Sequence, residues 1–182
     1  MRESTDTAAS SLRISREELE RRTAGAREKL FTVRKKRIHP HRDDKVLADW
    51  NGLMIAALAR AAQVFDEPEY AEAARNSVGF ILENMRRDDG RLLHRYRDGQ
   101  AAIPAHASDY AFLIWGLLEL YDATFDANYL QTALELNDDF IKHFWDHSHG
   151  GFYFTADDAE PLLTRQKEIY DGAIPSGNSI AM

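Results

Sequence analysis

Three short stretches of this chain gather side chains that can move protons or bind hydroxyl groups. The first runs from Asp43-Asp44-Lys45 to Asp49-Trp50-Asn51, the second from His106 to Asp109-Tyr110, and the third from Asp171 through Ser176 to Asn178. Two carboxyl groups flanking one bond can serve as acid and base of a hydrolysis, and Asp44 and Asp109 are the candidates for that pair. A histidine beside a carbonyl can instead carry a proton between neighbouring carbons, and His106 is the candidate for that role. Around them, Trp50 and Tyr110 could stack on the apolar face of a sugar ring. Asn51, Ser176 and Asn178 could hydrogen-bond its hydroxyls, and Asp43, Lys45, Asp49 and Asp171 could add charged contacts.

Plainer roles stand beside each of these. Asp49 and Asp109 sit at the starts of helical patterns, where an aspartate is an ordinary cap for orphan N–H groups. Asp44 and Lys45 can form a local ion pair. His106 can be structural, Trp50 can belong to the core, and Pro175-Ser176-Gly177-Asn178 reads equally as a turn and cap. His143, His147 and His149 have a spacing that could hold a metal, but a carboxylate or water would have to complete the site, and no metal or other cofactor is expected. No glycine-rich phosphate cradle and no nucleophile elbow is found. With no cysteine in the chain, thiol nucleophiles, CxxC redox chemistry and disulfides are excluded within it.

The elements that must position these residues are helical. Ser15 and Glu18 form an S-x-x-E capping box that opens a helix to about Arg37, and His39-Pro40 stops it. Trp50–Phe65 is apolar nearly all round, the mark of an inner, buried helix. After the Asp66-Glu67-Pro68 break, Glu69–Arg87 is amphipathic. Asp98-Gly99 between Leu92–Arg97 and Gln100–Ile103 is a strong hairpin signal. The pattern then recurs as Asp109–Phe125, a short break, Tyr129–Trp145, Gly150-Gly151, and an expected strand at Phe152–Thr155 with Leu162–Arg165 as its partner. The two units align at an offset of about 60 residues, Asp49 on Asp109 and Trp50 on Tyr110. A third unit begins at Ser176. The expected fold is all-α: αα-hairpin repeats forming part of a toroid, with short β-hairpins between repeats. Residues 1–14 are expected to be a disordered leader or linker. Residues 15–182 are expected to form a partial toroid domain, incomplete at both ends, whose unpaired end helices could drive self-association. In such a ring the three polar stretches share one rim.

Composition narrows the partners. The 182 residues carry a formal net charge of -7 with 44% hydrophobic and 29% charged residues, ordinary values for a globular domain. The Arg34–Arg37 basic cluster is short and suits a helix end. Nucleic acid and anionic membranes are therefore not expected partners. No apolar run approaches the length of a membrane span and residues 1–11 hold no apolar signal core, so a cytoplasmic location is expected.

Three motifs carry a resemblance: Arg42 through Asp49-Trp50-Asn51-Gly52-Leu53-Met54, His106-Ala107-Ser108-Asp109-Tyr110-Ala111, and Asp171 through Pro175-Ser176-Gly177-Asn178-Ser179. From about residue 15 onward the chain resembles the helical region of the thioredoxin-domain-containing proteins related to spermatogenesis-associated protein 20. The resemblance implies an (α/α)6 arrangement similar to six-hairpin glycosidases and to the N-acylglucosamine 2-epimerase group, following a thioredoxin-like domain that this sequence does not contain. It implies a carbohydrate-active site of the epimerase, isomerase or glycoside hydrolase type. The alternative is a non-catalytic module that binds a ligand or partner for the thioredoxin-like domain.

Overall fold

The computed structural model describes residues Ser4–Met182. They form two compact units, divided between Asp43 and Asp44 rather than between residues 14 and 15.

The first unit is a helical pair. Ser4 caps α1 (Thr5–Leu12) by accepting from the Thr7 N–H, and Arg13 closes it at a left-handed φ of 55°. Composition alone suggests a disordered leader here, but a serine cap and an alanine-containing turn are enough to start a helix once it has a neighbour to pack on. Residues 1–3 of that expected leader lie outside the described residues. The Ser15 cap opens α2 (Arg16–Lys35), its Oγ accepting from the Glu18 N–H at 3.1 Å. The Glu18 carboxylate does not complete the box; it pairs with Arg21 and Arg22.

The second unit holds the repeat. Leu47 leads into α3 (Ala48–Phe65), which ends at Asp66 with φ 56°. Pro68 opens α4 (Pro68–Asn84), where its missing N–H costs nothing. β1 (Val46–Leu47), β2 (Leu93–Arg97) and β3 (Gln100–Pro104) make an antiparallel sheet in the order β1-β2-β3. Val46 pairs with Tyr96 and Arg97 with Gln100. Asp98 and Gly99 turn the hairpin with φ of 51° and 78°, the double positive φ that a two-residue turn needs. Then come α5 (Ala107–Thr124), ended by Phe125 at φ 54°, α6 (Ala127–Phe144), and the short α7 (Gly177–Ala181). The expected strand at Phe152–Thr155 does not form. Trp145 and Phe152 make a single bridge, the Phe154 N–H donates to the Gln166 carbonyl, and Leu162–Arg165 remains irregular.

α3 and α5 lie in backbone contact. A Cβ on Gly52 would sit 2.5 Å from the Phe112 carbonyl carbon, and one on Gly116 would sit 2.8 Å from the Gly52 oxygen. Only glycine permits that approach. α4 packs on α3, α6 packs on α5, and α7 lies against the leading end of α5. The core between them contains Ile55, Val78, Ile81, Met85, Leu113, Leu117, Leu120 and Leu136, with Tyr110 stacked on Phe140 and Phe140 on Phe152. α5 matches the expectation of an inner helix buried nearly all round. α3 does not: Trp50, Met54, Val64 and Phe65 remain exposed on it. Among the described residues, no helix is long and apolar enough to cross a membrane.

Candidate functional site

Asp109 organises the leading ends of both inner helices. Its carboxylate is fully buried. Oδ1 accepts from the Asp49 N–H at 2.9 Å, and Oδ2 accepts from the His106 N–H at 2.7 Å. The two oxygens share the His94 Nδ1–H at 2.9 and 3.0 Å. One side chain thus fastens the start of α3, the start of α5 and strand β2, and it does so across the 60-residue repeat. Burial pushes the Asp109 carboxyl up, but the contacts with His106 and His94 outweigh it and hold the group below its ordinary value. The reciprocal effect raises His94: its hydrogen bond to Asp109 leads, against desolvation, with the charges of Asp109 and Asp49 adding to it. Both shifts favour the charged form of the His94–Asp109 pair, with the proton on the imidazole.

A cavity of about 380 Å³ opens over this pair. His94, His106 and Asp49 line it, with Ser108, Phe112 and Phe154 from neighbouring segments and Glu168 and Tyr170 from the loop before α7. The His94 and His106 rings meet edge to face with centroids 4.9 Å apart, and His106 stacks on Phe154 at 4.5 Å. Asp49 is raised, first by burial and then by repulsion from Asp109, although the Trp50 N–H donates to its Oδ1. The cavity therefore holds two imidazoles and a carboxyl group titrating above the usual aspartate range.

The residues singled out by sequence divide into two groups. Asp49 and His106 line the cavity, with Asp109 directly behind them. The leading turns of α3 and α5 lie side by side, as the repeat alignment requires, and the segment ahead of α7 joins them through Gly172, Ala173, Ile174 and Pro175, with Gly177 from the first turn of α7. The other candidates do not line it. Asp44 pairs with Arg97 at 2.9 Å. Asp43 falls in the first unit, and Lys45 precedes β1. Trp50 points away into solvent at 63% exposure, and the Asn51 amide is spent on a local bond, donating to the Leu47 carbonyl one turn back. Tyr110 is core, its hydroxyl accepting from the Leu92 N–H at 3.2 Å. The third stretch is a brace. Asp171 accepts from the Ser176 N–H and the Ser179 hydroxyl, Ser176 caps α7, and Asn178 clamps Phe152 through both its N–H and its carbonyl while donating to the Glu168 carbonyl.

Sequence reading missed His94, Phe154, Glu168 and Tyr170. The repeat held one usable signal: His94 and Phe154 stand 60 residues apart, each following an outer helix and its glycine turn.

His94, His106 and Asp109 are close enough together for a metal. The Asp109 oxygens, however, are already committed to the two backbone N–H groups and to His94, so a cation would have to break the brace. His143, Asp157 and Asp158 also cluster, instead of the histidine trio suggested by spacing. There Asp158 is held by Arg91 at 2.8 Å, and His149 turns to Asp146.

No protein-family model matches the chain. It is 37% identical over 164 residues to spermatogenesis-associated protein 20 of Homo sapiens, an alignment covering 85% of this chain and 21% of that protein. The rat protein of the same name is 39% identical over 165 residues, with the same coverage. An uncharacterized Caenorhabditis elegans protein is 33% identical over 97% of this chain and 25% of its own length. Among solved structures, the cellobiose 2-epimerase of Bacillus thermoamylovorans aligns with a TM-score of 0.59 at 18% identity, over 76% of this chain and 36% of that one. A family 105 glycoside hydrolase of C. acetobutylicum aligns with a TM-score of 0.59 at 14% identity, over 97% and 52%. The cellobiose 2-epimerase of Spirochaeta thermophila gives 0.56 at 21%, over 65% and 32%. The chain spans about a fifth of the length of the named relatives it matches. Its sequence is thus similar to one segment of spermatogenesis-associated protein 20, and its fold is part of an (α/α)6 toroid.

Proposed function

We propose that this segment carries a sugar-binding, proton-transferring site of the epimerase or isomerase type. The observation that supports it is the pairing of His94 and His106 on one cavity wall, with the His94 Nδ1 hydrogen-bonded to the buried Asp109 carboxylate, which favours its protonated form. An open-chain sugar has an acidic C–H beside its carbonyl. In this reading His106 takes that proton while His94 gives one to the carbonyl oxygen, which yields an enediol. Return of a proton to carbon, with the hydroxyl proton going back to His94, gives the isomer or epimer and restores both imidazoles. Asp109 is a positioning residue here: it fixes the His94 ring and never meets the substrate. The two-carboxylate hydrolase reading is weaker, because Asp44 is tied to Arg97 and Asp109 is sealed. Among the structural neighbours are sugar epimerases and D-mannose isomerase, a likeness of fold only.

A second reading has its own support. Asp171, Ser176, Asn178 and Asn51 spend their polar atoms on internal bonds, which suits a non-catalytic module that serves a thioredoxin-like domain in the longer protein. A cytoplasmic location is part of the proposal in either case.

The test is to incubate the 182-residue chain with reducing sugars in D2O and follow the proton next to the carbonyl by NMR. Deuterium incorporation that His94→Gln and His106→Gln each abolish supports the epimerase or isomerase reading. Sugar binding without any exchange favours the non-catalytic module.

A further inference from the structure

We infer that the open face of α3 is the contact through which two copies of this chain associate, antiparallel about a twofold axis at Ala57. The inference is independent of the sugar-site reading.

Trp50, Met54, Ala57, Ala61 and Val64 follow one another at steps of four, three, four and three residues. That is the spacing of a seam covered by a second helix, because two turns return the chain to the same side about every seven residues. The seam runs about 21 Å along α3 and carries no charge. Trp50, Met54, Val64 and the adjoining Phe65 are 57–67% exposed, and Ala57 is exposed with them. The equivalent places on α5 include Tyr110 and Leu117, which are buried, with Tyr110 stacked on Phe140 of α6. On α3 the seam stays open.

The seam is complementary to itself, which is what a twofold interface requires. Reversing one α3 against another about Ala57 sets Trp50 opposite the partner's Val64 and Met54 beside the partner's Ala61. A large side chain meets a smaller one each time. Ala57 meets its own copy at the axis, where the two helices come closest and a small residue is needed. The reversed helix dipoles attract. Arg60 flanks the seam and would approach its own copy, but Glu119 holds it at 3.1 Å and offsets its charge. At roughly 150–250 Å² for a whole aromatic side chain, Trp50, Met54, Val64 and Phe65 leave about 500 Å² open. Two copies would bury about 1,000 Å², the lower end for a specific interface, so the dimer is weak and reversible.

The experiment measures the mass of the 182-residue chain by sedimentation equilibrium from about 1 µM to about 1 mM, on the parent and on Ala57→Glu. The expected result is a monomer–dimer equilibrium with Kd of about 10–100 µM, weakened at least about tenfold by Ala57→Glu, which sets two like charges face to face at the axis. Tm at low concentration should not change, since the position is exposed. A second variant does not depend on that behaviour. The chain has no cysteine, so Ala57→Cys places a single thiol at the axis, within the Cα separation that a disulfide accepts. It should cross-link to a dimer under mild oxidation far faster than Glu72→Cys, an exposed site on α4. A parent chain that stays monomeric to about 1 mM overturns the inference. So does a dimer that Ala57→Glu leaves intact, or cross-linking no faster at position 57 than at 72, either of which assigns association to another face. A monomer whose Tm falls in Ala57→Glu shows the seam covered within one chain, and overturns it as well.

Discussion

Replacing Asp109 with asparagine tests whether one buried charge holds the site together. The carboxylate accepts from the Asp49 N–H, the His106 N–H and His94 Nδ1–H, so both of its oxygens are needed as acceptors. Asparagine keeps one acceptor and turns the other into an NH2 donor that faces a donor. At least one buried N–H is left unpaired, which costs about 1–3 kcal/mol. The His94 cation, whose side chain is 20% exposed, loses its partner. Removing one member of a buried ion pair costs about 3–5 kcal/mol, and His94 can relieve part of that by giving up its proton, so the net loss is about 3 kcal/mol. For a chain of this size that lowers Tm by about 6–12 °C. The measurement is thermal unfolding by circular dichroism, together with NMR titration of the His94 ring. The His94 pKa, raised in the parent protein, should fall toward or below its ordinary value. An unchanged Tm with an unchanged His94 titration would refute the assignment of Asp109 as the brace of the site.

Three further outcomes follow from the same geometry. Gly52→Ala forces a methyl to within 2.5 Å of the Phe112 backbone. Overpacking of about 3 kcal/mol, less about 1 kcal/mol of better helix propensity, predicts a net loss of about 2 kcal/mol in unfolding free energy, measured by urea denaturation, and a neutral result would place α3 and α5 further apart. Asn178→Ala strips the Phe152 N–H and the Glu168 carbonyl of their partner. It should cost about 3 kcal/mol and speed amide hydrogen exchange around residues 166–171, whereas unchanged exchange would show that the loop before α7 is held by other contacts. Stability should also follow the His94–Asp109 pair with pH. Asp109 titrates below 3.8, so its contribution is full above 3.8 and is lost as pH falls through its lower folded value. His94 titrates above 6.5, so its contribution is full below 6.5 and fades as pH rises through its higher folded value. Tm should therefore be greatest between these limits, and a Tm still rising well above pH 6.5 would contradict the charged pair, with Asp109→Asn as the control that flattens both edges.

Much of the scaffold was legible before any coordinates. Helix periodicity, the Ser15 and Ser176 caps, the Pro68 start and the Asp98-Gly99 hairpin are local signals, and local backbone chemistry decides them. The 60-residue repeat went further. It placed the start of α3 beside the start of α5, which the Asp49–Asp109 hydrogen bond now joins. What periodicity cannot carry is the fate of equivalent positions. Trp50 and Tyr110 align in the repeat, yet Trp50 lies in solvent, while Tyr110 is enclosed by Phe140, Phe144 and Leu92 because α5 has packed neighbours on more sides than α3.

The same distinction separates the site from its candidates. Composition and spacing marked Asp109 and His106 as chemical residues, but an aspartate at a helix start looks alike whether it faces water or a buried histidine. The folding of the β2–β3 hairpin back onto α5 brings His94 to Asp109, and the irregular loop ahead of α7 carries Glu168 and Tyr170 to the cavity. Neither event leaves a periodic trace, because each is a long-range contact made by segments whose local sequence fits many loops. Sequence determined the helices, their order and the repeat that sets them side by side. Tertiary packing alone decided which carboxylate would be sealed as a brace and which imidazoles would share a cavity, since burial and proximity are properties of the assembled neighbours.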